Sequence, residues 1–549
     1  MKLYYYQDKA KQKKLNREGR DYTPAYLPVM FRNLGFTGEC LGPEELRNGV
    51  LLGSDVLVLG SDALPEDAAE LVRRSGALVL SLGGTAPFLP KTRPVLNRQD
   101  VYAIAGYFRF ADSEEPLPVL DAFGTCDGGE VLGWIEDEDK NRYPALVCKD
   151  ARTFHFTFDL CATIQYAADG RPTYDPTPSF EFGRIPDGTV VPPDYDYTIA
   201  FSDSYLRFLR NLLHKAGIPS LYELPDLDGE PADLLVFFGG DDDAGSREND
   251  LKASDYMFEH GFPYHFNLMP RTDGTFVISK EDFDTIRRRG QETALHYDFT
   301  HFPYSAEGYK IQNEMYERAF GMPTDANVNH CLVQCGPARE RYRLSHEAGS
   351  LSDNNRFQTQ PDPNDINAFN VTGFSTGSAF PRFVIDDAAH GNEPIDFIEI
   401  PNSFYEPRLH TEDPGERKKL EKYLLDGFRY ARTLQLFTHP HYISGEFGDA
   451  TPAHRALEYA KAFLDASGRK VVYTAPNALG DFWRARTKVQ ISANADGCTV
   501  ENPTERNMFV YLPSGKTLKA GQTIWRKTIA GKECWICLAK PGTTRIQYE

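Results

Sequence analysis

Between residues 201 and 485 short apolar runs alternate with helical stretches, and this alternation limits the fold more than any other feature. "LLVFFGG", "PYHFNLMP", "ETALHYDFT", "VNHCLVQC", "DFIEIP", "LQLFTHP" and "KVVYTAP" read as strands. "SKEDFDTIRRRG", "AEGYKIQNEMYERAFG" and "ERKKLEKYLLDGFRYARTL" between them have helical spacing. Strands that alternate with helices build parallel sheets with the helices outside. About seven such units over roughly 280 residues predict a (β/α)7-type barrel, with its functional groups at the C-terminal ends of the strands.

At 549 residues the chain exceeds what one hydrophobic core serves, so an α/β chain of about three domains is expected. Residues 1–200 open with the same alternation in "DVLVLG", "PEDAAELVRRSG" and "ALVLSLGG". From about residue 100 they turn β-rich in "EVLGWI", "RYPALVCKD" and "TFHFTFDL". Residues 175–197, rich in Pro and Asp, read as a linker or an ordered crossing loop. Residues 486–549 lack helical periodicity and read as a small β-sandwich-like domain.

A net charge of −19 disfavours nucleic acid and anionic membranes as partners, since both demand concentrated positive charge. The sequence has neither a signal-like apolar core near Met1 nor an apolar run of about 18 residues, so a cytoplasmic location is expected. Nine cysteines without paired spacing fit a reducing compartment.

Chemistry concentrates where the central strands end. The first carries Asp241, Asp242 and Asp243, three carboxylates whose repulsion and desolvation call for compensation, most simply by a cation. Another ends at His296, with His301 five residues on, and a third ends at His439, followed by His441. One carboxylate with two imidazoles makes a facial site for Zn²⁺ or a similar ion, with a second carboxylate placed to activate the water it holds.

These strand ends resemble the polysaccharide deacetylase superfamily, carbohydrate esterase family four, whose first motif is Thr-Phe-Asp-Asp-Gly. "GGDDDAG" keeps that acidic pair in two registers: base Asp241 with ligand Asp242, the preferred one, or base Asp242 with ligand Asp243. "QETALH" matches the family's "HEIGNH"-like run, which makes His296 the first histidine ligand. The family's second histidine lies four residues on; Thr300 stands there and His301 follows, so the resemblance puts the second ligand at His301. The last motif falls on His439, which implies a part in leaving-group protonation or base orientation. The third and fourth motifs have no clear match, and Asp243, His330, Asp353, Asn354, Arg382, Tyr297 and His441 are the expected substrate-binding groups. The resemblance thus implies a zinc-dependent hydrolase acting on an acyl, typically acetyl, group of a carbohydrate, with Tyr297, Phe302, Tyr304 and Trp483 as aromatic platforms.

Residues 1–200 resemble the glutamine-amidotransferase-like flavodoxin fold. Neither Cys126 nor Cys161 lies on a Gly-x-Cys-x-Gly elbow, so this part is expected to be non-catalytic, serving assembly into a homo-oligomer or walling the cleft. Two alternatives accompany the hydrolase reading. One is a metal-independent glycosidase using Asp242 with Glu399 or Asp387; the other is a catalytically silent carbohydrate-binding or assembly protein.

Overall fold

The computed structural model describes all residues except 99–101, 111–114, 175–180, 192–194, 358–368, 447, 517 and 520. Part of the segment read as a linker, 175–197, therefore lies outside the described residues. Its described part is anchored: Arg184 bridges to Val333 and the Tyr195 hydroxyl donates to the Pro116 carbonyl.

A nine-stranded sheet occupies the N-terminal part. Strands β1 (Leu3–Tyr6), β2 (Gly38–Leu41), β3 (Val56–Leu59) and β4 (Leu78–Leu82) are parallel, in the order β2-β1-β3-β4. Strand β9 (Thr153–Phe156) continues them in parallel. The β-rich stretch then extends this sheet antiparallel through β8 (Arg142–Asp150), β7 (Glu130–Glu136), β5 (Ile104–Phe110) and β6 (Leu117–Leu120). Helix α1 (Leu27–Leu34), closed by Gly35 in the left-handed region, packs on it, as do α2 (Glu66–Ser75) and α3 (Leu160–Asp169).

The central array starts after helix α4 (Phe201–Lys215) with β10 (Leu234–Asp241), buried at every position. Burial on both faces is why it reads as an unbroken apolar run. Strands β11 (His265–Leu268), β12 (Glu292–Tyr297), β13 (Ala326–Asn329) and β14 (Ser352–Asp353) follow in parallel. Antiparallel β15 (Arg382–Ile385) and parallel β16 (Pro394–Glu399) finish that side. On the other side of β10 lie β17 (Phe404–Tyr405) and β18 (Thr433–Phe437), while β19 (Val471–Thr474) pairs with the start of β10. Among the described residues no pairing joins β16 to β17. The fold is mixed α/β with a parallel central array, and its strand pairing leaves the expected seven-stranded barrel open.

Residues from 490 onward form two small antiparallel sheets, one of which takes in Ser220–Leu221. One hydrophobic core runs through all three parts: Phe31 and Phe108, Leu209 and Leu213, Phe237 and Ile398, and Val510 and Ile536 belong to it. Among the described residues no helix is long and apolar enough to cross a membrane.

Candidate metal centre

The site is built at the C-terminal end of β10. A Cβ at Gly240 would collide with the Thr438 carbonyl, so glycine there lets the chain leaving β18 pass against the end of β10 and brings His439 beside Asp241. Strand β10 ends at Asp241, and the turn beyond it, with Asp243 and Ala244 in the left-handed region at φ +50°, brings Asp243 to the histidines beside Asp241, while Asp242 is held by backbone N–H groups. The Asp242 carboxylate accepts from the backbone N–H groups of Met269 (2.8 Å) and Ala244 (3.1 Å), and burial raises it to about 7. Asp242 is therefore not placed as a metal ligand, which corrects the preferred sequence register.

Asp243 is the carboxylate that converges with the histidine nitrogens. Its Oδ1 lies 3.2 Å from His296 Nε2 and 3.2 Å from His330 Nδ1, and those nitrogens are 3.2 Å apart. Donors around a tetrahedral ion with bonds of about 2.0–2.2 Å stand about 3.3–3.6 Å apart, close to this triangle. The His296 Nδ1 faces the Val328 carbonyl at 3.2 Å, an acceptor only, which puts the proton on Nδ1 and leaves the Nε2 lone pair toward Asp243. A carboxylate oxygen and an imidazole lone pair converging without a donor fit a first-row divalent cation. Protons compensate in its place: burial opposes the His330 imidazolium, but Asp243 outweighs it and lifts His330 to about 11. Burial likewise disfavours the Asp243 anion, yet His439, His296 and His330 hold its carboxyl well below the usual range.

Asp241 and His439 stand on the other side of Asp243. Asp241 Oδ1 accepts from Asn267 Nδ2 at 2.7 Å, while its Oδ2 lies 3.6 Å from His296 Nε2 and 4.0 Å from His439 Nε2. His439 Nε2 is 3.5 Å from Asp243 Oδ2. Behind it, His439 Nδ1 meets Glu406 Oε1 at 2.6 Å, and the same oxygen accepts from the His439 backbone N–H at 3.0 Å. Burial works against the His439 cation, but Asp243 and Glu406 prevail and raise it to about 9. Glu406 is buried and held at φ +48°, a strained backbone for a glutamate, of the kind that clusters at functional sites.

Other expected site residues lie elsewhere. The His301 imidazole is 63% exposed and bonded to Asp298 Oδ2 at 2.6 Å, because it sits on the turn after β12; it joins neither group of converging ligand atoms. His330, expected to bind substrate, stands in the triangle. Tyr297 is core, donating to Asn313 and stacked on Phe299. Trp483 is buried against Phe380, so it offers no platform. Asn354 is spent on the Ile400 carbonyl and Gln435. Arg382 pairs with Asp169 (2.9 Å) and Glu399, and Asp353 lies 3.5 Å from Arg341, all buried. Glu399, enclosed by three arginines, is in no position to serve as a glycosidase carboxylate. His441 does adjoin the site, its ring stacked on His439 at 4.9 Å. Two residues escaped the sequence reading in these roles. His330 shared with His296 the signal of a histidine at a strand end; Glu406 had none.

No family model matches the chain, and no curated protein matches it. Three similar solved structures are a protein assigned as a polysaccharide deacetylase from Mycobacterium smegmatis, another so assigned and involved in O-antigen biosynthesis from Bordetella bronchiseptica, and a family 4 acetyl xylan esterase from Clostridium thermocellum in complex with a cobalt ion. The first is 15% identical with a TM-score of 0.35, over 50% of this chain and 99% of that one. The second is 15% identical with a TM-score of 0.23, over 38% and 72%. The third is 12% identical with a TM-score of 0.24, over 45% and 91%. Each likeness covers half of this chain or less, and the amidotransferase resemblance of residues 1–200 finds no support in them.

Proposed function

We propose that this chain is a metal-dependent hydrolase that removes an acyl group from a carbohydrate. The observation that carries the reading is the Asp243–His296–His330 triangle with a carboxylate, Asp241, on one flank and a carboxylate-backed imidazole, His439, on the other. A zinc-like ion held by the triangle would polarise the acyl carbonyl and acidify water beside it. Asp241, steadied by Asn267, takes the proton of the attacking water at Oδ2, the oxygen facing the histidines. His439 carries a proton on Nε2 and returns it to the departing nitrogen or oxygen, while Glu406 fixes the ring and supports its positive charge. The carbohydrate and the acyl bond come from the resemblance of the strand-end motifs. Purified protein, treated with chelator and then reconstituted with zinc, is to be assayed for acetate release from N- and O-acetylated oligosaccharides. Release that disappears with chelation and returns with zinc supports the reading; zinc-replete protein releasing nothing from either series overturns it.

A further inference from the structure

The loop that delivers Glu406 to His439 also carries Arg408, and its guanidinium is held in an uncommon way. Its central carbon lies 3.4 Å from the centre of the Phe369 ring and 4.6 Å from that of Tyr442. Those two rings meet edge to face at 5.3 Å, and the Arg408 backbone N–H donates to Asn370 Oδ1 at 2.7 Å. Ring and backbone contacts together fix where the charge sits. That place adjoins the metal centre by direct contact: Tyr442 packs 4.3 Å from His441 and 6.1 Å from His439.

The carboxylate that this charge acts on is Glu406, two residues before it, at longer range than an ion pair. Among the described residues Arg408 forms no ion pair, and its Nε has no hydrogen-bond partner. Of the buried arginines, Arg339, Arg341 and Arg382 each reach at least one carboxylate, whereas among the described residues Arg432 and Arg486 form no ion pair and pack on aromatic rings as Arg408 does. The guanidinium packs against Phe369 and Tyr442, whose ring planes stand at 86° to each other. Its edge, which presents the N–H donors, is what remains for a planar anion, and a carboxylate matches that fork with two parallel hydrogen bonds.

We propose that Arg408 is a specificity determinant that receives a carboxylate of the substrate, so that the preferred substrate is an acylated acidic saccharide, such as one containing a uronic acid. This rests on the acyl-hydrolase reading above. In a chain of net charge −19 the long-range field repels such a sugar, and a local, rigidly held cation is what makes its binding favourable.

The test compares two probes with the zinc-loaded enzyme: a tetrasaccharide alternating N-acetylglucosamine with glucuronate, and the neutral N-acetylglucosamine tetramer. The expected result is a kcat/KM about tenfold to a hundredfold higher on the acidic probe, the value of hydrogen bonds to a charged group. In Arg408→Met that ratio collapses, the acidic probe losing far more than the neutral one. Arg408→Lys, which keeps the charge and loses the fork, gives an intermediate ratio and carries the comparison if the methionine variant does not fold. Equal rates of wild type on the two probes, or equal losses on both in the variants, overturn the proposal. If neither probe is cleaved, the hydrolase reading fails and calorimetric binding decides by itself. Binding of the acidic tetrasaccharide that Arg408→Lys weakens sustains the anionic subsite, and no binding overturns it.

Discussion

Two clusters of buried polar side chains stand at the C-terminal ends of the central strands, and they solve the cost of burial in opposite ways. At the ends of β14 and β16, Asp353 and Glu399 face Arg341, Arg356 and Arg382, with Tyr342 donating to Glu399 at 2.6 Å. Acceptors there meet donors, and Arg382 extends the network to Asp169 of α3, so that it joins the N-terminal sheet to the central array. At the ends of β10, β12 and β13 the converging atoms are a carboxylate oxygen and two imidazole nitrogens. Acceptors there meet acceptors, and only protons or a cation can reconcile them. Burial and strand-end position are common to both clusters. What separates a site from a structural joint is whether the groups are spent on each other.

Breaking either cluster tests that distinction, and the largest effect is expected in the first. His330→Ala removes a ligand and lowers zinc affinity by more than the 10- to 100-fold that outer-shell partners command; acyl release drops to background, and equilibrium dialysis with zinc checks it. Asp241→Asn keeps the triangle, so zinc content stays at the wild-type level while kcat falls about 10²- to 10⁴-fold, the range of a general base. Arg382→Met removes the arginine that bridges Glu399 and Asp169, leaving only the longer contacts to Arg341, Arg356 and Arg339, and costs about 3–5 kcal/mol in urea unfolding, with zinc per folded molecule unchanged. Loss of zinc in that variant would merge the two clusters into one functional unit. His301→Ala, on an exposed imidazole, shifts stability by less than about 0.5 kcal/mol and leaves zinc binding and acyl release intact.

The strands, and the gathering of Asp241, His296 and His439 at their ends, were legible because an apolar run that stops at a polar residue marks both the strand and its end. The convergence of Asp243 with the histidines was not legible in the sequence, because Asp243 reaches them from a turn at φ +50° just past the end of β10, and no local pattern separates that turn from a continuing strand. The family pattern of two consecutive aspartates obscured it. His301 was favoured over His330 for the same reason, since a motif spacing was followed into the turn after β12, whereas the next strand end carries His330, which converges with Asp243 and His296. The roles of Arg382, Asp353 and Asn354 could not be read, because the groups that satisfy them are remote in sequence. Arg382 donates to the Ala168 carbonyl across 214 positions, and no local pattern announces such a pairing.

The central claim is that Asp243, and not Asp242, completes the metal triangle. Elemental analysis of zinc-reconstituted wild type, Asp242→Asn and Asp243→Ala tests it most directly. The account predicts about one zinc per chain in wild type and in Asp242→Asn, and none in Asp243→Ala, the single-site stoichiometry of one carboxylate with two imidazoles. Zinc retained in Asp243→Ala and lost from Asp242→Asn would contradict it.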